Sequence, residues 1–113
     1  MHWTHEKGLV AEDKVRRHLE GQGYHLVRSR FKTPFAEIDL LMRSGNESLL
    51  VEVKSLSAKG FPETRLGRRQ KQRLRHAQEW LAQKTESDVS LVLAMVEESG
   101  QILLFNLSED DLK

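Results

Sequence analysis

Two acids and a lysine occupy positions where a β-hairpin would bring them together. Asp39 lies in the run Glu37-Ile38-Asp39-Leu40-Leu41-Met42, and Glu52 and Lys54 lie in the run Ser48-Leu49-Leu50-Val51-Glu52-Val53-Lys54. Gly45-Asn46 stands between the runs and is a strong two-residue hairpin signal. With that loop, Asp39 falls opposite Glu52 and Glu37 falls opposite Lys54. Side chains alternate faces along a strand. One face therefore carries Glu37, Asp39, Glu52 and Lys54, and the other carries Ile38, Leu40, Met42, Leu49, Val51 and Val53. Opposed carboxylates have β-carbons roughly 5 Å apart and repel unless a positive charge joins them. A divalent cation supplies that charge, and oxygen-only ligands suit magnesium or manganese. The adjacent lysine completes the equipment of a metal-dependent phosphodiesterase. The spacing also fits a plain solvated sheet face with a Glu37–Lys54 ion pair and a tolerated acid pair.

These groups need a fold to hold them. The first helix reads from about Trp3 to Glu20, with Leu9, Ala11, Glu12, Val15 and Leu19 on a loose stripe, and Gly21-Gln22-Gly23 ends it. Tyr24 to Arg30 is a short strand, broken by Thr33-Pro34. The hairpin strands follow, at about Glu37–Arg43 and Ser48–Lys54. Ser55 to Thr64 is a loop whose Lys59, Gly60 and Phe61 could close over a substrate. Leu66 to Gln83 is a second helix, with Leu66, Leu74, Ala77 and Leu81 on one stripe. Gln70 falls on that stripe. A buried amide without partners costs about 1–3 kcal/mol, so Gln70 either bonds nearby backbone or aims at a polar site under the helix. Val89–Val96 and Ile102–Leu107 are strands separated by a turn at Gly100. Ser108 is placed to cap a last helical turn containing Glu109, Asp110 and Asp111.

Composition narrows the setting. The 113 residues suffice for one domain, residues 1–113, with one core. There is no cysteine, hence no disulfide and no thiolate site, and no apolar run long enough for a membrane span or a secretion signal. Together these point to a cytoplasmic protein. The formal net charge is +1, yet seven acids and two bases fall from Lys84 onward, so the preceding body is basic. Arg65, Arg68, Arg69, Lys71, Arg73 and Arg75 crowd the start of the second helix, and Arg28, Arg30 and Lys32 lie just before the hairpin. Lysine and arginine contacts to phosphates give sequence-independent affinity for nucleic acid. Six bases cannot share one helix face, so some are simply solvated. Trp3, Phe31 and Phe35 could stack on bases of an opened strand, though core packing or a partner surface suits them better. His2 and His5 suit an exposed terminus better than a metal pair.

The element order, with Asp39, Glu52-Val53-Lys54 and a first helix bearing Glu12, resembles the PD-(D/E)XK nuclease superfamily. More closely, the chain is similar to the YraN-like family of predicted endonucleases, itself distantly similar to archaeal Holliday junction resolvases. The likeness runs from Gly8 to about Leu107. It rests on Gly8 with Glu12, Leu19 with Gly23-Tyr24, Glu37-Ile38-Asp39-Leu40, Val51-Glu52-Val53-Lys54, and Gln70 with Leu74, Ala77, Trp80 and Leu81. The chain departs from the family in having Ala36 where a glycine is usual and Arg69-Gln70 where Lys-Gln is usual.

The resemblance implies an α/β, restriction-endonuclease-like α-β-β-β-α-β core, with a mixed central sheet flanked by helices. It also implies roles. Asp39, Glu52 and the Val53 carbonyl would hold magnesium or manganese. Lys54 would orient the attacking water or stabilise charge on the phosphate. Glu12 would be a further ligand or an outer acid, and Gln70 would reach the site from the second helix. Glu37 would orient Lys54. Resolvase-like enzymes pair as dimers for symmetric cuts, which extends to this chain as an expected homodimer. The expected function is metal-dependent hydrolysis of DNA phosphodiesters, branched or junction DNA among them. The alternative is a nucleic-acid-binding module that keeps the fold without cutting.

Overall fold

The computed structural model describes residues 5–56 and 66–108, with side chains described from Gly8 onward. Arg65, the Lys59-Gly60-Phe61 loop, the N-terminal His2, Trp3 and His5 side chains, and the turn after Ser108 lie outside the described residues.

The chain runs α1 (His5–Gly21), β1 (His25–Lys32), β2 (Glu37–Ser44), β3 (Glu47–Ser55), α2 (Arg68–Thr85), β4 (Asp88–Val96) and β5 (Ile102–Leu107). This is the order of helix, three strands, helix and two strands that the sequence predicts, an α-β-β-β-α-β core followed by the expected strand at Ile102–Leu107. α1 closes on a Schellman turn. Tyr24 N–H bonds Leu19 C=O at 3.1 Å and Gly23 N–H bonds Glu20 C=O at 3.1 Å, and Gly23 takes φ 99°, which a side chain would resist. α2 begins at Arg68, two residues later than the periodicity suggests, because Leu66 packs on the core from outside the helix. Its last turn is followed by Glu86 in a left-handed conformation, φ 53°.

The five strands form one sheet in the order β1-β2-β3-β4-β5. β3 and β4 are parallel and every other neighbouring pair is antiparallel. The parallel pair needs a crossover, and α2 supplies it. Each helix covers one face. Ala11, Val15 and Leu19 of α1 pack on Leu40, Met42, Leu49, Val51 and Val53. Leu74, Ala77 and Leu81 of α2 pack on Ile38, Leu41, Leu50 and Leu91. The central strands β2, β3 and β4 are thus covered on both sides, and no described helix is long and apolar enough to cross a membrane.

The hairpin forms in the predicted register, with Leu40 opposite Val51 and Ser44 opposite Glu47. Gly45 at φ 58° followed by Asn46 without positive φ is the type II′ pattern. On β1 the pairing with β2 shifts by one residue between Leu26 and Arg28, and on the hairpin alternation fails at one place. Ile38 belongs to the α2 cluster while Leu40, two residues on, belongs to the α1 cluster. The cause lies on the neighbouring strand. Between the pairs Ser29–Leu40 and Phe31–Ile38 stands Arg30, at φ 50°. That left-handed residue flips the pleat, so β1 and β2 both change the helix they face across the level of Asp39. At Ala36 the chain makes its turn without glycine. Thr33 Oγ1 accepts the N–H of Phe35 at 3.1 Å and of Ala36 at 2.9 Å.

Glu86→Gly removes a side chain from a left-handed position on the protein surface. It should raise the free energy of unfolding by about 0.5–1 kcal/mol in urea titration. A loss of stability would show that the Glu86 side chain has a role of its own.

Candidate functional site

The β2–β3 ladder runs only from Ser44–Glu47 to Leu40–Val51. At the next level side chains replace the ladder bonds. Val53 N–H donates to Asp39 Oδ2 at 2.8 Å, and Asp39 N–H donates to Glu52 Oε1 at 3.4 Å. The two acids are therefore opposed as the register predicts, and each is tied to the other strand's backbone. The pleat flip at Arg30 and the end of the ladder coincide here. The gap is a cavity of about 190 Å³ lined by Gly8, Glu12, Asp39, Glu52, Val53 and Lys54.

α1 supplies Gly8 and Glu12 one turn apart, so both line the same wall. Glu12 is only 8% exposed and Glu52 only 7%. Arg30 Nη2 reaches Glu12 Oε2 at 3.2 Å, which offsets the cost of burying that acid. From the opposite helix, Gln70 Nε2 approaches Glu52 Oε2 at 3.5 Å, the outer limit of a hydrogen bond. The amide on the apolar stripe thus aims at a polar site under α2. Lys54 is half-buried in the same cavity. The Glu37–Lys54 ion pair that the pairing suggests is not among the ion pairs of the described residues.

The electrostatics follow from crowding. Burial pushes the Glu52 carboxyl up to about 8, and the neighbouring Asp39 charge pushes the same way. Lys54, the Asp39 N–H and Glu12 act more weakly, the first two downward and Glu12 upward. Burial also raises Asp39, opposed by the Val53 N–H, Lys54 and Arg30. One proton shared by the pair relieves the repulsion in the absence of a cation. The donors present fit a hard cation: carboxylate oxygens of Asp39 and Glu52 beside the Val53 peptide. No three His, Asp or Glu side chains converge as a ready-made cage among the described residues.

The basic residues are dispersed. Arg30, expected on a phosphate, is engaged by Glu12. Arg28 lies opposite Leu41 and Lys32 opposite Glu37 on the exposed edge strand β1. Arg68, Arg69 and Arg73 are exposed on α2, Lys71 is half-buried, and Arg75 pairs with Glu79 at 3.3 Å. Sequence reasoning gave Gly8 no role of its own at the site, although its four-residue spacing to Glu12 was the available signal. It also missed the Arg30–Glu12 pair, which joins residues far apart in the chain and has no local signature.

The chain is thus a small α/β domain with three acids, Glu12, Asp39 and Glu52, and one lysine around a polar cavity. The model of the uncharacterised protein family UPF0102 matches residues 11–95. A UPF0102 protein of Ruegeria pomeroyi is 38% identical over 103 residues, covering 88% of this chain and 84% of that protein. Another, from Halorhodospira halophila, is 40% identical over 80 residues, covering 68% and 66%. A third, from Shewanella amazonensis, is 43% identical over 72 residues, covering 62% and 67%. The chain belongs to the UPF0102 family.

Two outcomes test the site. Folded Glu52 holds its proton to about pH 8, whereas the unfolded residue releases it near 4.5. Between those values the folded state binds more protons, so stability falls as pH rises through the window. Glu52→Gln should flatten that fall, and at pH 8 should make the metal-free protein more stable by about 1 kcal/mol or more. Parallel pH profiles for parent and variant would remove Glu52 as the cause. Separately, Arg30→Gly should be more stable than Arg30→Ala by about 1 kcal/mol in urea, because both lose the Glu12 pair but only alanine keeps the strained backbone.

Proposed function

We propose that this protein is a divalent-metal-dependent endonuclease of the PD-(D/E)XK type, hydrolysing DNA phosphodiester bonds, those of branched or junction DNA among them. The observation that carries the reading is the opposition of Asp39 and Glu52 across the end of the hairpin, with Lys54 in the same cavity. Supporting it are the element order, the buried acid Glu12 contributed by α1, and the exposed bases of α2.

Asp39, Glu52 and the Val53 carbonyl would hold magnesium or manganese, which supplies Lewis-acid polarisation of the phosphate and a more acidic water. The remaining work falls to the chain. Gln70 steadies the Glu52 carboxylate from the α2 side, leaving its other oxygen toward Asp39. Lys54 donates hydrogen bonds to a non-bridging phosphate oxygen or to the incoming water, and its charge offsets the negative charge that grows in the transition state. Glu12, steadied by Arg30, sits at the α1 wall and accepts a hydrogen bond from water entering the cavity. The water oxygen forms a new P–O bond, one ester P–O bond breaks, and the departing oxygen takes a proton. Exposed Arg68, Arg69 and Arg73 hold the substrate by its phosphates. The setting we infer is cytoplasmic, with residues 1–113 as one nuclease domain acting as a homodimer.

A second reading is a nucleic-acid-binding module that does not cut. It is favoured by Glu12 being engaged by Arg30 and by the absence of a converged three-residue cage among the described residues.

Calorimetric titration with manganese should show binding by the parent and none by the Asp39→Ala/Glu52→Ala double variant. Lys54→Ala should bind manganese yet cleave branched DNA about 10²–10³-fold more slowly, the usual loss for one transition-state donor. Salt-dependent DNA binding that survives the double variant, with no manganese-dependent cleavage by the parent, would establish the second reading instead.

A further inference from the structure

The bases of α2 separate into two sides about its apolar stripe. At 100° per residue, Arg69, Arg73, His76, Trp80 and Lys84 follow one another along a single flank. On the other side Gln78 Nε2 bonds Val89 C=O at 2.8 Å, so that side faces β4. The flank of interest faces β1 and the β1–β2 connection, as two ring contacts show. Phe31 packs on Trp80 with centroids 6.2 Å apart, and Phe35 packs on His76 with centroids 5.3 Å apart. Trp80 is further covered by Lys84, whose Nζ lies 5.0 Å from the ring centre. Phe35 and His76 are different: both are exposed, Phe35 at 43%.

Phe35 is one of several large apolar side chains left exposed among the described residues, and it is the one set against a histidine on the basic flank of α2. This one is held in place. Thr33 N–H and Oγ1–H both donate to Ala36 C=O, at 3.0 and 2.7 Å, while Thr33 Oγ1 accepts the N–H of Phe35 and Ala36. These bonds restrain the backbone of the turn and lower the ordering cost of presenting the ring. Arg69 and Arg73 stand exposed on the same flank, and the single acid of α2, Glu79, is tied to Arg75 away from it. Exposed π faces beside exposed positive charge complement a polyanion whose bases are free to stack. A fully paired duplex offers the charge but not the faces.

We propose that this flank binds an unpaired stretch of nucleic acid, with a base stacked on the Phe35–His76 pair and phosphates on Arg69 and Arg73. The inference rests on the nucleic-acid reading above and narrows it to substrates with unpaired nucleotides beside the cut, such as flaps and splayed junctions. The placement suits that substrate. Gln70, which reaches Glu52, lies on α2 about 9 Å along the axis from His76.

The test is fluorescence polarisation in EDTA, where no metal-dependent cleavage intervenes. The parent, Phe35→Ala, His76→Ala and Phe35→Tyr are titrated against a single strand, a flap and a blunt duplex. Phe35→Ala and His76→Ala should each weaken single-strand and flap binding about tenfold and leave the duplex unchanged, and Phe35→Tyr should behave as the parent. A 2-aminopurine in the flap should be quenched by the parent and not by Phe35→Ala. Equal losses on all three substrates, or parental affinity in Phe35→Ala, would overturn the inference while leaving the nuclease reading intact. Absence of binding by the parent to any of them would overturn both. Circular dichroism melts confirm that the variants fold, which the exposure of both side chains favours.

Discussion

Two carboxylates brought side by side out of water repel more strongly than any single hydrogen bond can offset. Around that repulsion the rest of the site is organised. The Val53 N–H and the Asp39 N–H are turned to the acids instead of to the ladder. Lys54 enters the cavity, Gln70 comes down from α2, and Arg30 is drawn to Glu12 on the far wall. Each group lowers the cost a little and none removes it, so Glu52 keeps a proton well above the ordinary carboxylate range. Carboxylates shifted by burial and by each other in a cleft are characteristic of functional sites. Such a pair is otherwise a poor way to hold two strands together.

Much of this was legible from the residues, for physical reasons. A two-residue Gly-Asn loop fixes hairpin register, and register fixes which acid meets which. The apolar stripe of α2 fixed which side of Gln70 would be buried. The UPF0102 family relationship spans the segments that carry these groups. What was hidden was non-local or conformational. A positive φ at an arginine has no sequence signal, so the pleat flip that moves Ile38 to the α2 cluster could not be read. The Arg30–Glu12 pair joins a strand to a helix across the chain. The division of the α2 bases into two flanks needs the position of β4, which Gln78 reveals.

The helices are unequal partners in this design. α1 contributes one wall and one acid, and its remaining buried residues are small or branched and serve packing. α2 contributes a core stripe, an amide to the site and a basic, aromatic flank to the surface. The crossover it provides between parallel β3 and β4 sets where that flank points. The fold and the placement of that flank are thus set by the same connection.

The local origin of the two central acids bears on how the molecule is assembled. Asp39 and Glu52 belong to one short hairpin, whereas Gln70 arrives only with the long crossover into β4. Contacts of low sequence separation close first, and parallel pairing waits for loop closure. The acids therefore meet while water still screens them, when their repulsion is slight. The electrostatic cost falls due only as the two helices dock and expel solvent. Proton uptake by the pair is accordingly coupled to burial of the hairpin under the two helices, so the acidity of the medium shifts the balance between the folded and unfolded chain.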